Sequence, residues 1–240
     1  MQIILQNLLY YAWIAFNAIL WTLVFGSLGV IVSIFEWKGR LMGWVVRTWS
    51  KIILFFSGIK FKVEGLENID SKSHYFFAAN HSSAFDIPIV FSGIPFHMVA
   101  ISKIELKHIP FLGWAMQAGG HFFVDRKNHS RAIDSMDKAK KSMSKNPRSV
   151  IIFPEGTRSE NAKILPFKKG GLVLAINLDM QVVPVGIVGT GSLVKDKFSS
   201  SKNSLKLIFG KPIETKNLTY DDRNVFAFNL RKEVARLVGS

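Results

Sequence analysis

His81 and Asp86 stand five residues apart in Asn80-His81-Ser82-Ser83-Ala84-Phe85-Asp86, between an apolar strand candidate and a helix candidate. On a continuous helix five residues advance about 500°, which leaves the two side chains roughly 140° apart and out of reach. A strand-to-helix turn folds the chain back, so that Asp86 can accept a hydrogen bond from His81. A carboxylate that holds an imidazole in one tautomer makes a general base for activating a hydroxyl. A plainer arrangement also fits: Asp86 as a helix N-cap with Pro88 in the first turn, and His81 as a satisfied polar residue.

A second segment, Phe153-Pro154-Glu155-Gly156-Thr157-Arg158-Ser159, follows the apolar run Val150-Ile151-Ile152. At the carboxyl end of a strand these residue types suit an anion-binding loop. Glycine lets backbone N–H groups approach a phosphate, and arginine can grip it with two donors. Ligands of open α/β sheets gather at that edge. A tight turn carrying a surface ion pair is the alternative.

Other chemistries lack their residues. The chain has no cysteine, hence no thiolate nucleophile, disulfide or thiolate metal site. Ser82 adjoins His81, but no G-x-S-x-G elbow exists, and neighbours on an extended chain point apart. His74, His97, His108, His121 and His129 show no metal-ligand spacing, and the acids form no cluster, so neither metal nor cofactor is expected. The surplus of 31 Lys+Arg over 17 Asp+Glu, +14 in all, demands an anionic partner. Nucleic acid is disfavoured, because the basic residues gather on no recognition helix and no binding signature occurs. No phosphate-loop G-x-x-x-x-G-K-[ST] or dinucleotide G-x-G-x-x-G appears either.

The elements that must position these residues divide at residue 59. Met1 to Phe35 holds no charged residue, a run longer than the roughly 20 residues that span a bilayer. Leu41 to Ile59 is apolar too but carries Arg47 and Lys51, and five of the six tryptophans lie in the first 49 residues. Tryptophan with flanking cations suits a membrane interface. We read residues 1–59 as a two-helix membrane anchor, the second helix amphipathic, with no signal-peptide features. Lys38 and Arg40 follow the first run, which places the remainder in the cytoplasm by the positive-inside tendency.

Residues 60–240 alternate β-rich runs with helical patterns, and so predict an α/β domain: a mainly parallel sheet flanked by helices. Strands are expected at Phe61–Glu64, Tyr75–Ala79, His97–Ile101, Phe122–Val124, Val150–Phe153, Val182–Val188 and Leu205–Phe209. Helices are expected after Asp86, from Ser130 to about Lys145, from about Gly171 to Leu178, and after Asp222. Lys195–Asn203, rich in Ser and Lys, reads as a surface loop.

Taken together the segments resemble the glycerolipid acyltransferase family, in particular its bacterial 1-acylglycerol-3-phosphate acyltransferases. NHSSAFD is similar to the family's NHxSxxD block. Lys103-Ile104-Glu105-Leu106, Ile109-Pro110-Phe111-Leu112-Gly113, Gly119 and Phe123-Val124-Asp125-Arg126 are similar to its second block. FPEGTRS matches the third, and Val183-Pro184-Val185-Gly186-Ile187, after Phe167-Lys168-Lys169-Gly170, looks like the fourth. The four occur in order between about Val63 and Ile213. One departure is small Ala84, where many relatives carry a bulky residue, which bears on the shape of the site.

The resemblance implies acyl transfer from a thioester, acyl-CoA or acyl-carrier protein, to the sn-2 hydroxyl of lysophosphatidic acid, giving phosphatidic acid. It implies His81 as the base and Asp86 as its orienting partner. Glu155, Gly156, Thr157 and Arg158 would hold the acceptor's phosphate, with Lys103 and Arg126 as further candidate phosphate contacts. The setting implied is a bacterial inner membrane. Another lysophospholipid or lyso-aminolipid acceptor stays open, as does a non-catalytic lipid-binding protein of the same fold. Residues 1–59 carry only +3 of the charge, leaving +11 for the α/β part. That surplus fits an anionic membrane surface and phosphorylated substrates.

Overall fold

The computed structural model describes residues 2–36, 39–159, 163–193 and 205–239. Trp37, Lys38 and the loop expected at Lys195–Asn203 lie outside the described residues.

Among the described residues seven strands form one sheet: β1 (Lys62–Glu64), β2 (Phe76–Ala79), β3 (Met98–Lys103), β4 (Phe122–Val124), β5 (Ser149–Ile152), β6 (Val182–Val188) and β7 (Lys206–Phe209). Their order is β1-β7-β6-β2-β5-β3-β4. All pairings are parallel except β6 with β7. The sheet is thus mainly parallel, as the alternation of elements predicts.

The central strands β2 and β5 are buried at every residue, because helices cover both faces. Successive side chains serve opposite cores. Phe77 and Ala79 point into one core with Val183, Val185 and α3 (Asp86–Gly93). Phe76 and Ala78 point into the other, against α5 (His129–Lys145), α6 (Lys169–Asn177) and α7 (Arg223–Val238). Within these, Ala139, Leu172 and Leu230 are fully enclosed.

The amino-terminal segment forms two helices, α1 (Gln2–Phe35) and α2 (Arg40–Phe56). The glycines at 26 and 29 do not break α1. They let it approach the short helix α4 (Leu112–Ala118), where a Cβ on Gly26 would stand 3.0 Å from the Phe111 carbonyl oxygen. Leu5–Phe35 is the one helix among the described residues long and apolar enough to cross a membrane. α2 is different. It is amphipathic, and its Leu54, with Val46 packed alongside, joins the core beneath α3. The second helix of the expected anchor is therefore also part of the α/β body.

Candidate active site

The site lies at the carboxyl edge of β2 and β5. Asn80 pins the end of β2 to β6: its amide donates to the Ile187 carbonyl (2.9 Å) and its oxygen accepts from the Ile187 N–H (2.7 Å). The chain then turns, and His81 Nδ1 meets Asp86 Oδ2 at 2.7 Å. The same oxygen accepts from the N–H groups of Ser82 (2.7 Å) and Ser83 (2.8 Å). These donors precede α3, so Asp86 closes the loop around the histidine instead of capping the helix. The cap position is Phe85, which makes no side-chain cap.

Asp86 is fully buried and the His81 side chain is 13% exposed. Its acceptor partner fixes the proton on Nδ1 and leaves Nε2 as the basic nitrogen. The Phe153 ring stacks on the imidazole, with centroids 4.3 Å apart, and restricts its rotation.

The second loop is bonded to the first. Glu155, 2% exposed, accepts from the His81 N–H at 2.7 Å and from the Leu165 N–H at 2.9 Å. Ser159 N–H donates to the His81 carbonyl at 2.8 Å. Burial pushes the Glu155 carboxyl pKa up, and the two N–H donors pull it back. Both of its oxygens are thus occupied by backbone donors, and a carboxylate would repel a phosphate. Glu155 staples the two loops together, where the resemblance assigns it to phosphate binding. Gly156 has φ +73°, and a side chain there would also strike Lys168, whose Nζ lies 2.9 Å from the Cβ position.

A cavity of about 530 Å³ opens beside His81. Lys103, Arg126, Thr157 and Arg158 line its polar part. Arg126 donates to the Gly156 carbonyl at 2.6 Å and so joins the end of β4 to this loop. Burial lowers the Arg126 pKa, opposed by Glu105. Of the expected site residues, His81, Lys103, Arg126, Gly156, Thr157 and Arg158 meet at one cavity, and Glu155 lies behind it. The rest of the lining is mostly apolar and includes Phe25, Val45, Trp49, Phe91 and Met116. Phe25, Val45 and Trp49 come from α1 and α2, helices whose composition signalled only a membrane role.

His121 also lines this cavity, and its Nδ1 accepts from the Ala100 N–H at 3.1 Å. Burial, then His97 and Arg148, hold its pKa at about 3, against 6.5 for a free imidazole. Burial, Arg148 and Arg47 bring His97 to about 4, with Glu36 opposing. Both rings fold neutral and take up protons more readily when unfolded. Their contribution to stability is therefore full above pH 6.5 and falls as the pH drops toward 4 and 3. Each adds a slope of up to about 1.4 kcal/mol per pH unit. Denaturation of the protein in micelles between pH 7 and 4 should show this loss, and His121→Asn should flatten it. An unchanged slope in the variant contradicts the assignment.

Comparisons with known proteins agree with the geometry. A family model described as Acyltransferase matches residues 60–188. A 1-acyl-sn-glycerol-3-phosphate acyltransferase from Saccharomyces cerevisiae is 36% identical over 216 residues, covering 87% of this chain and 71% of the relative. One from Limnanthes douglasii is 29% identical, covering 88% and 74%. The crystal structure of the 1-acyl-sn-glycerophosphate (LPA) acyltransferase from Thermotoga maritima superposes with a TM-score of 0.76 over 97% of this chain and 96% of that one. At 24% identity it speaks for the fold. A shared domain across more than half the sequence, with relatives aligned over most of both chains, places this enzyme in the acyltransferase family.

Proposed function

We propose that the protein transfers a fatty acyl group from an acyl thioester to the sn-2 hydroxyl of 1-acylglycerol-3-phosphate, releasing phosphatidic acid. The observation that carries this reading is the His81–Asp86 pair, set on a largely apolar cavity whose polar part holds Lys103, Arg126 and Arg158. The acyl chain takes the apolar part and the acceptor's phosphate takes the cations. The relatives named above act on such an acceptor by their names, which supports the choice.

In this mechanism His81 Nε2 removes the proton from the acceptor hydroxyl as its oxygen attacks the thioester carbonyl. Asp86 stabilises the imidazolium that forms. The tetrahedral intermediate collapses, the C–S bond breaks, and His81 returns the proton to the departing thiolate. No covalent acyl-enzyme is needed, so no protein nucleophile is required. The donor is acyl-CoA or acyl-carrier protein, and no cofactor enters.

The reaction takes place at a membrane. Residues 1–59 seat the protein and residues 60–240 carry the chemistry, on the cytoplasmic side. Exposed Leu8, Leu9, Ile34 and Phe35 on α1, and Trp44 and Phe55 on α2, support seating in the membrane. Exposed Ile109 and Trp114 flank Phe111 where it meets α1, and extend the apolar surface.

Arg158→Ala tests the acceptor assignment. Losing a charge-assisted contact of about 1.5–3 kcal/mol should raise the lysophosphatidate KM about 10–100-fold. The thioester KM should stay constant. An equal rise in both, or in neither, contradicts phosphate binding at Arg158.

A further inference from the structure

We propose that Arg231, on α7, is a positioning residue that sets the backbone of His81 through Glu155. This rests on His81 being the base, as proposed above.

The link is a continuous chain of hydrogen bonds. Arg231 Nη2 donates to the Ile164 carbonyl at 2.7 Å, and Nε donates to the Leu165 carbonyl at 3.1 Å. The Ile164 carbonyl and the Leu165 N–H belong to one peptide unit. That N–H donates to Glu155 Oε2, and Glu155 Oε1 accepts from the His81 N–H. A cation on the oxygen of a peptide polarises its N–H, so the bond to Glu155 is strengthened from the far side. Lys168 N–H donates to the Pro154 carbonyl at 2.7 Å and closes the same loop near its base.

Packing of α7 does not explain the arginine. Phe226, Leu230 and Val234 already seat the helix in the core, while Arg231 is only half-buried. Nor is it held in an ion pair among the described residues. Its guanidinium is spent on two backbone carbonyls 66 and 67 residues away in sequence. The clamped peptide, Ile164–Leu165, is bonded to Glu155, the neighbour of Gly156, which gives the carboxyl-terminal helix a hold on the site.

The test is a double-mutant cycle in the full-length protein. Arg231→Gln should lower kcat about tenfold, with the thioester KM and the melting temperature in micelles little changed. Arg231→Lys keeps the charge but puts its donors on a single nitrogen, and should fall between Arg231→Gln and the native protein. Combining Arg231→Gln with Glu155→Gln should cost no more than the worse single change, because both act through one chain. Unchanged kcat in Arg231→Gln, or losses that multiply in the double variant, would overturn the proposal. If Arg231→Gln does not fold, an Arg231→Lys enzyme with native kcat overturns it equally. His81→Ala separates the two readings: an active variant removes the base itself, whereas an inactive one beside native Arg231 variants removes only the relay.

Discussion

His81→Ala should lower kcat at least about 10³-fold, within the range a positioned general base contributes. The substitution is clean because the histidine's backbone bonds survive it. Its N–H still reaches Glu155 and its carbonyl still accepts from Ser159. What disappears is the Nε2 base, the Nδ1 hydrogen bond to buried Asp86 and the stacking on Phe153, the last worth about 0.5–1.5 kcal/mol. Asp86 keeps the Ser82 and Ser83 N–H donors, so the melting temperature in micelles falls by several degrees while turnover collapses. Ser82 cannot substitute: it lies beside the base, and its N–H is committed to Asp86. A variant that keeps more than a tenth of the native kcat contradicts the mechanism.

Asp86→Asn should cost about 10²–10³-fold in kcat, and for a specific reason. The N–H groups of Ser82 and Ser83 both point at one oxygen of Asp86, so they hold the asparagine oxygen in that place. The His81 Nδ1–H keeps its acceptor and the tautomer is preserved. The loss is the negative charge that stabilises the imidazolium. The other oxygen, Oδ1, is buried without a hydrogen-bond partner. An amide NH₂ there is an unsatisfied buried donor, which should lower stability by about 1–3 kcal/mol. Adding Asp86→Asn to His81→Ala should lower kcat no further, since the two act as a unit. A multiplied loss, or native turnover in Asp86→Asn alone, contradicts the pairing.

Much of this is legible in the sequence. The seven strands among the described residues fall on the β-rich runs of the sequence, and a mainly parallel sheet follows from their alternation with helices. The five-residue spacing of His81 and Asp86 already required a turn, which the structure supplies. Other features leave no local trace. α4 spans seven residues behind Pro110, too few for a periodic signal. Glu155 reads as a phosphate neighbour in FPEGTRS, yet its burial against two N–H groups depends on β2 and on Leu165, distant in sequence. The lining residues Phe25, Val45 and Trp49 sit in stretches whose apolar character is equally suited to lipid. Arg231 looks like any solvated helix arginine until the Ile164–Leu165 peptide is brought beneath it.

Release of thiol from an acyl thioester, followed as lysophosphatidate is added to the membrane-reconstituted protein, tests the central claim most directly. Both acyl-CoA and acyl-carrier protein should be supplied in turn. The account predicts that thiol appears only with the acceptor, in one-to-one proportion with phosphatidate, and disappears in His81→Ala. Thiol release without acceptor, or release that persists in His81→Ala, would contradict it.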